Sequence, residues 1–240
     1  MRDSREKLNI VYEDGALLVV NKKAGVLAVP LARRRNAASV YEQVKQYLRP
    51  RKRQPFVVHR IDRDSSGLVV FAKDPRTQQQ LKAQFERREP ERLYWAVVYG
   101  RPNPPTGMWR DRLAWDPTAL KQRKARARDS RGHEAVCEYR LLEELGPASL
   151  IEVRLITGKR NQIRIQAQLH GHSLVGEQQY ASGAGEPGRV SFPRQALHAC
   201  RLTLRHPASR RPLRFEAPLP DDLADLVAGL RRRSQRAGAQ

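Results

Sequence analysis

One short stretch constrains this chain more than any other. It is the polar loop His59-Arg60-Ile61-Asp62-Arg63-Asp64-Ser65-Ser66-Gly67 and the apolar run Leu68-Val69-Val70-Phe71-Ala72 directly behind it. The run is short, apolar and rich in strand-forming side chains, so it reads as a buried strand. A carboxylate at the mouth of such a strand has a fixed position and few rotamers. Cations beside it favour its ionised form. Those are the needs of a nucleophile or a general base. The same residues also suit a turn stitched by surface ion pairs, so their meaning depends on the rest of the chain.

The flanking sequence supplies short strands and a few helices. Leu8–Tyr12 and Leu17–Val20 predict a hairpin around Glu13-Asp14-Gly15. Ser39 predicts a helix cap, with Val40, Val44 and Leu48 on one face of a helix that ends in the basic cluster Arg49-Pro50-Arg51-Lys52-Arg53. Asp74-Pro75 predicts a second helix start, with Leu81 and Phe85 inward. Leu93–Tyr99 reads as a strand, and the basic residues 119–132 as an exposed loop or hairpin arm. Ala135–Leu142 and Leu150–Ile156 read as strands around a Gly146-Pro147 turn. Arg160–His170 reads as a helix with Ile163, Ala167 and His170 inward. Leu197–Leu204 and Leu213–Ala217 are late strands, Asp221–Arg232 is a closing helix, and Arg231–Arg236 a solvated tail. Strands outnumber helices and often adjoin, which predicts an α+β fold with a largely antiparallel sheet. We expect one domain over residues 1–240, with its core at about 8–222.

Charge narrows the partner. Lys plus Arg number 46 against 25 Asp plus Glu, a formal balance of +21. Such a field suits a polyanion, because basic side chains displace counterions from phosphates. No stretch has the apolar length to span a bilayer, and no basic helix carries an aromatic apolar face for its surface. Nucleic acid is therefore the expected partner, with no membrane. The two cysteines, Cys137 and Cys200, lie in apolar runs, which suits buried thiols in a reducing compartment. Gly183-Ala184-Gly185-Glu186-Pro187-Gly188 has the spacing of a dinucleotide loop, but it follows no strand and opens no helix. The histidines and cysteines lack metal-ligand spacing, and Ser65-Ser66-Gly67 lacks the frame of a nucleophile elbow. No metal or cofactor is expected.

The 59–73 stretch resembles the H-R-L-D-x-x-T-S-G-L-L-x-x-A-K signature of RluA-type pseudouridine synthases. Three further segments are similar to motifs of that family, in its order: Asn21-Lys22-Lys23-Ala24-Gly25, Tyr94-Trp95-Ala96-Val97-Val98, and Leu155-Ile156-Thr157-Gly158-Lys159-Arg160-Asn161-Gln162-Ile163-Arg164. The segment from Arg205-His206-Pro207 to Pro220 resembles its last strands. The chain departs from the pattern at Lys23, Asn161, Gln166, Ser173 and Glu177, where Pro, His, His, Pro and Asp are usual. The residues before position 8 leave no room for the S4 domain of many relatives, so RNA capture is expected to fall to the catalytic domain.

The resemblance implies isomerisation of uridine in tRNA or rRNA to pseudouridine, without a cofactor. The reducing compartment that the cysteines suit is read as the cytoplasm, and a monomer is expected. It implies that Asp62 is the catalytic carboxylate, paired with Arg164, and that Tyr94 stacks on the target base. An ionised Asp62 serves attack on the ribose, attack on the base, or removal of a ribose proton alike. The target is extruded from its stack, and Arg60 is the candidate to fill the gap. His59, Arg63, Lys159, Arg160, Asn161, Gln162, Arg51, Lys52 and Arg53 are the remaining RNA-contact candidates, with His59, Arg63 and Asp64 also shaping the loop. The basic runs at 33–35, 49–53 and 121–131 suit phosphates, which set affinity rather than sequence choice. The alternative function is a non-catalytic RNA-binding or RNA-remodelling protein on the same fold.

Overall fold

The computed structural model describes residues 8–30, 38–180 and 190–237. The Arg33-Arg34-Arg35 run and the Gly183–Gly188 loop lie outside the described residues. The fold is α+β, with eleven strands and four α-helices among the described residues. The chain groups into two compact units, Met1–Glu91 with Ala199–Pro218 and Arg92–His198 with Leu219–Gln240.

The first unit contains β1 (Ile10–Glu13), β2 (Leu17–Lys22), α1 (Val40–Leu48), β3 (Phe56–Val57), β4 (Ser66–Ala72) and α2 (Pro75–Glu86). It closes with β10 (Leu197–Arg205), which begins in the other unit, and β11 (Pro212–Glu216). Its strands run in the order β1-β2-β4-β10-β11, with β3 also on β4. The β1–β2, β2–β4, β3–β4 and β10–β11 pairs are antiparallel. Every residue of β4 is buried. Leu68, Val70 and Ala72 join Leu17, Val19, Leu81, Leu202 and Phe215 in one core, while Val69 and Phe71 are buried on the other face. A strand covered on both faces needs a continuous apolar run, which is why its sequence is legible. Ser39 caps α1 by accepting the Glu42 N–H, and Val40, Val44 and Leu48 form its buried face. Asp74 caps α2, accepting from both the Thr77 N–H and hydroxyl at 2.8 and 2.7 Å.

The second unit contains β5 (Glu91–Tyr99), β6 (Thr106–Asp116), β7 (Lys121–Lys124), β8 (His133–Glu144), β9 (Ala148–Leu155), α3 (Gln162–Leu169) and α4 (Asp221–Ala237). Its strands are antiparallel in the order β5-β9-β8-β6-β7. β6 has no counterpart in the sequence reading. Its exposed positions include Arg110 and its buried positions Trp109, Leu113 and Ala114, so no apolar run marks it. The basic arm is partly the β6–β7 hairpin, in which β7 presents only Gln122 to the interior.

Two expectations need correction. α4 extends through the residues read as a solvated tail. Leu223, Val227 and Leu230 pack with Val97 and Leu145, and Arg231 donates to both carboxylate oxygens of Glu143 at 2.6 and 2.7 Å. α3 is shorter than its periodicity suggested, and His170 is exposed beyond its end, stacked on Trp109 at 5.5 Å. Cys137 and Cys200 are both buried thiols, and burial pushes that of Cys137 well above its usual range.

Candidate active site

The acid loop connects β3 to β4 and is held from below. The β2–β4 register sets Lys22 opposite Gly67 and Asn21 opposite Leu68. Lys22 is only 1% exposed, and its ammonium donates to the carbonyls of Lys23, Val26 and Arg63 at 2.8, 2.7 and 2.7 Å. It thus ties the loop after β2 to the residue that follows Asp62. His59 anchors the other side. Its Nε2 accepts the Val70 N–H at 3.1 Å, and its ring stacks on Phe85 at 4.8 Å. The Ser65 N–H closes a turn on the Asp62 carbonyl at 3.3 Å, and Arg63 pairs with its neighbour Asp64 at 3.0 Å. Gly67 has φ of +113°, and a Cβ there would lie 2.2 Å from the Ala199 carbonyl oxygen. Only glycine admits that approach. Between these anchors Asp62 is half-buried and Arg60 is exposed.

The nearby basic cluster is exposed but partly engaged. Arg51 lies 4.8 Å over the Tyr47 ring and donates to Glu13 at 3.3 Å, and Arg53 donates to the Gly15 carbonyl at 2.5 Å. Lys52 sits between them in the left-handed region, with φ of 54°.

In the second unit, Tyr94 lies on β5 opposite Val153 and is buried. Arg92, two residues earlier and hence on the same strand face, supports the turn between β9 and α3. One of its terminal nitrogens, Nη2, reaches the Thr157 carbonyl at 3.2 Å and that of Leu155 at 3.4 Å. Burial lowers the Arg92 pKa. Gly158 is tied to this contact, since a Cβ there would lie 2.5 Å from Arg92 Nη1. The Gln162 side chain binds Thr157 Oγ1, the Lys159 N–H, the Val136 carbonyl and Gln166 at 2.8 to 3.1 Å. Gln166 in turn donates to the Trp109 and Ala135 carbonyls and to Asp111 at 2.8 to 3.1 Å. This polar network fixes the first turn of α3.

Arg164 projects from that turn into a buried ion pair. Its Nε and Nη2 each donate to a Glu177 carboxylate oxygen at 2.7 Å, and its guanidinium lies 5.3 Å from the Tyr180 ring. Glu177 is 3% exposed and also accepts the Gln179 and Tyr180 N–H groups at 2.8 and 3.2 Å. Burial pushes its pKa up, but hydrogen bonding and charge from Arg164, with the two backbone donors, outweigh that and hold it below 4.5.

A family model described as RNA pseudouridylate synthase matches residues 16–169. The chain belongs to that family. It is 37% identical to the ribosomal large subunit pseudouridine synthase D of Zymomonas mobilis, over 90% of this chain and 70% of that one. It is 34% identical to an uncharacterized RNA pseudouridine synthase of Synechocystis sp., over 94% and 70%. The solved structure of human RNA pseudouridylate synthase domain containing 4 shares the fold, with a TM-score of 0.76 at 22% identity over 93% of each chain.

As a member of the pseudouridylate synthase family the chain is an isomerase acting on RNA. The structure sorts the residues singled out in the sequence. Gln162 is 2% exposed and consumed by the α3 network, which removes it from the RNA-contact candidates. His59, half-buried, is engaged with the Val70 N–H of β4. Arg160 lies 4.2 Å over the Trp115 ring, with Lys159 half-buried and Asn161 in the left-handed region at the helix start. The sequence reading gave no role to Lys22, Arg92 or Glu177. Each acts by touching a chain segment distant in sequence, and no local pattern marks that.

Proposed function

We propose that this pseudouridylate synthase uses Asp62 as its catalytic carboxylate, Tyr94 to stack on the target uracil and Arg164 as the cation of the centre. The observation that carries this reading is the acid loop. Lys22 and His59 fix the backbone on either side of a half-buried Asp62 and leave the neighbouring Arg60 exposed. A side chain positioned from both flanks meets reacting atoms without reorganising. In the reaction the bond from the ribose to base N1 breaks and one to C5 forms. C5 loses a proton and N1 gains one, so no oxidant or hydrolytic water enters. Arg60 fills the stack vacated by the extruded uridine, its planar cation suited to lying between bases.

We further propose that the substrate is large-subunit ribosomal RNA rather than tRNA, which implies a cytoplasmic place of action. The support is the relative of that printed function at 37% identity. The exposed cations Lys124, Arg126 and Arg128 on the arm, with Arg51 and Lys52 of the first unit, contact phosphates. Asp62→Asn tests the chemistry: it keeps the fold and RNA affinity and loses all detectable conversion by carbodiimide-based primer extension. Retained conversion sinks the assignment. Mapping ribosomal and transfer RNA from cells with and without the gene tests the substrate, and a site lost only from tRNA overturns the ribosomal choice.

A further inference from the structure

We propose that Glu177 is a positioning residue for the pseudouridine-forming reaction, acting through Arg164. This rests on the role given to Arg164 above. The geometry is specific. The guanidinium is gripped by two parallel hydrogen bonds of 2.7 Å, both from its Nε edge, which fixes the plane and rotation of the group and not merely its charge. The grip is itself rigid. Oε1 of Glu177 also accepts two backbone N–H groups, and Gly176 before it has φ of +75°. A Cβ at Gly176 would lie 1.9 Å from the Arg194 carbonyl, so the loop carrying Glu177 is pressed against neighbouring backbone. Arg194 is tied in turn to Asp222 at 2.7 and 2.9 Å. The Tyr180 ring lies 5.3 Å from the guanidinium. A surface arginine would need none of this. An arginine whose plane must be right when substrate arrives does.

The position also explains a departure. Glu stands at 177 where the resemblance led us to expect Asp, and the longer side chain still meets Arg164 edge-on. The test is single-turnover conversion of ribosomal RNA by full-length variants well below their melting temperatures. Glu177→Gln keeps shape and an acceptor for the backbone donors but loses the charge. Its rate falls about thirtyfold or more, with RNA Kd within about threefold of wild type, because a misplaced group affects the reacting geometry more than binding. Glu177→Asp keeps the charge but shortens the arm, so its rate falls only about threefold to tenfold.

A folded Glu177→Gln variant with a wild-type rate overturns the proposal, as does a loss confined to Kd. If Arg164→Ala is inactive while Glu177→Gln is not, this inference fails and the role of Arg164 stands. If Arg164→Ala is fully active, both fail. Should Glu177→Gln not fold, Glu177→Asp decides: a threefold to tenfold loss of rate at constant Kd supports the role, and an unchanged rate overturns it.

Discussion

Lys22 brings a positive charge into the protein and satisfies it with three main-chain carbonyls. Replacing it with Met removes the charge but strands those acceptors, and each buried unsatisfied group costs about 1–3 kcal/mol. We expect Lys22→Met to lower stability to urea by about 2–4 kcal/mol, and to slow conversion even in the folded fraction, because the loop beside Asp62 loses its tether. Full stability and rate in that variant would show that the carbonyls find other donors. Glu177 gives a pH signature. Its folded pKa lies below the ordinary 4.5, so the stability it contributes is present above that value and lost as pH falls through the lower folded one. The stability gap between wild type and Glu177→Gln should therefore be widest near neutrality and close on acidification below about pH 4. Denaturation curves at a series of pH values measure it.

At the scale of elements, legibility follows burial. β4 is covered on both faces and reads from sequence as an unbroken apolar run, and α1 and α2 announce themselves through Ser39 and Asp74. β6 does not, because its outward residues are charged and its inward ones are few. The first turn of α3 misleads for a different reason. Gln162 spends its side chain on Thr157 and Val136, a tertiary network that no periodicity encodes. Two substitutions separate cap from close approach. Asp74→Ala should cost about 1 kcal/mol and leave activity alone, since its carboxylate serves the α2 N-terminus at Thr77. Gly67→Ala should cost more than about 3 kcal/mol, because the new Cβ collides with main chain at Ala199 and cannot be relieved by a rotamer change. Paired urea titrations check the order, and an equal cost for both would contradict it.

For the whole molecule, the balance of +21 acts through the surface rather than the core. Arg126 and Arg128 are exposed on the arm. Replacing both with Gln should leave the fold intact and lower the slope of log Kd against log salt by about 1–2, close to one counterion per lost phosphate contact. An unchanged slope would remove the arm from the RNA interface. The sequence alone determined the family, through motifs whose residues are local and ordered, and it determined the acid loop, because a polar segment abutting a buried strand leaves a local signature. It also determined the class of partner, since net charge is a sum and needs no geometry. The tertiary structure alone decided which side chains hold the reactive ones. Lys22 under the Asp62 loop, Arg92 under the turn before α3, and Glu177 edge-on to Arg164 are contacts between residues 13 to 65 positions apart. A hydrogen bond depends on where the fold brings two atoms, and that position is a property of the packed chain and not of either residue's neighbours in sequence.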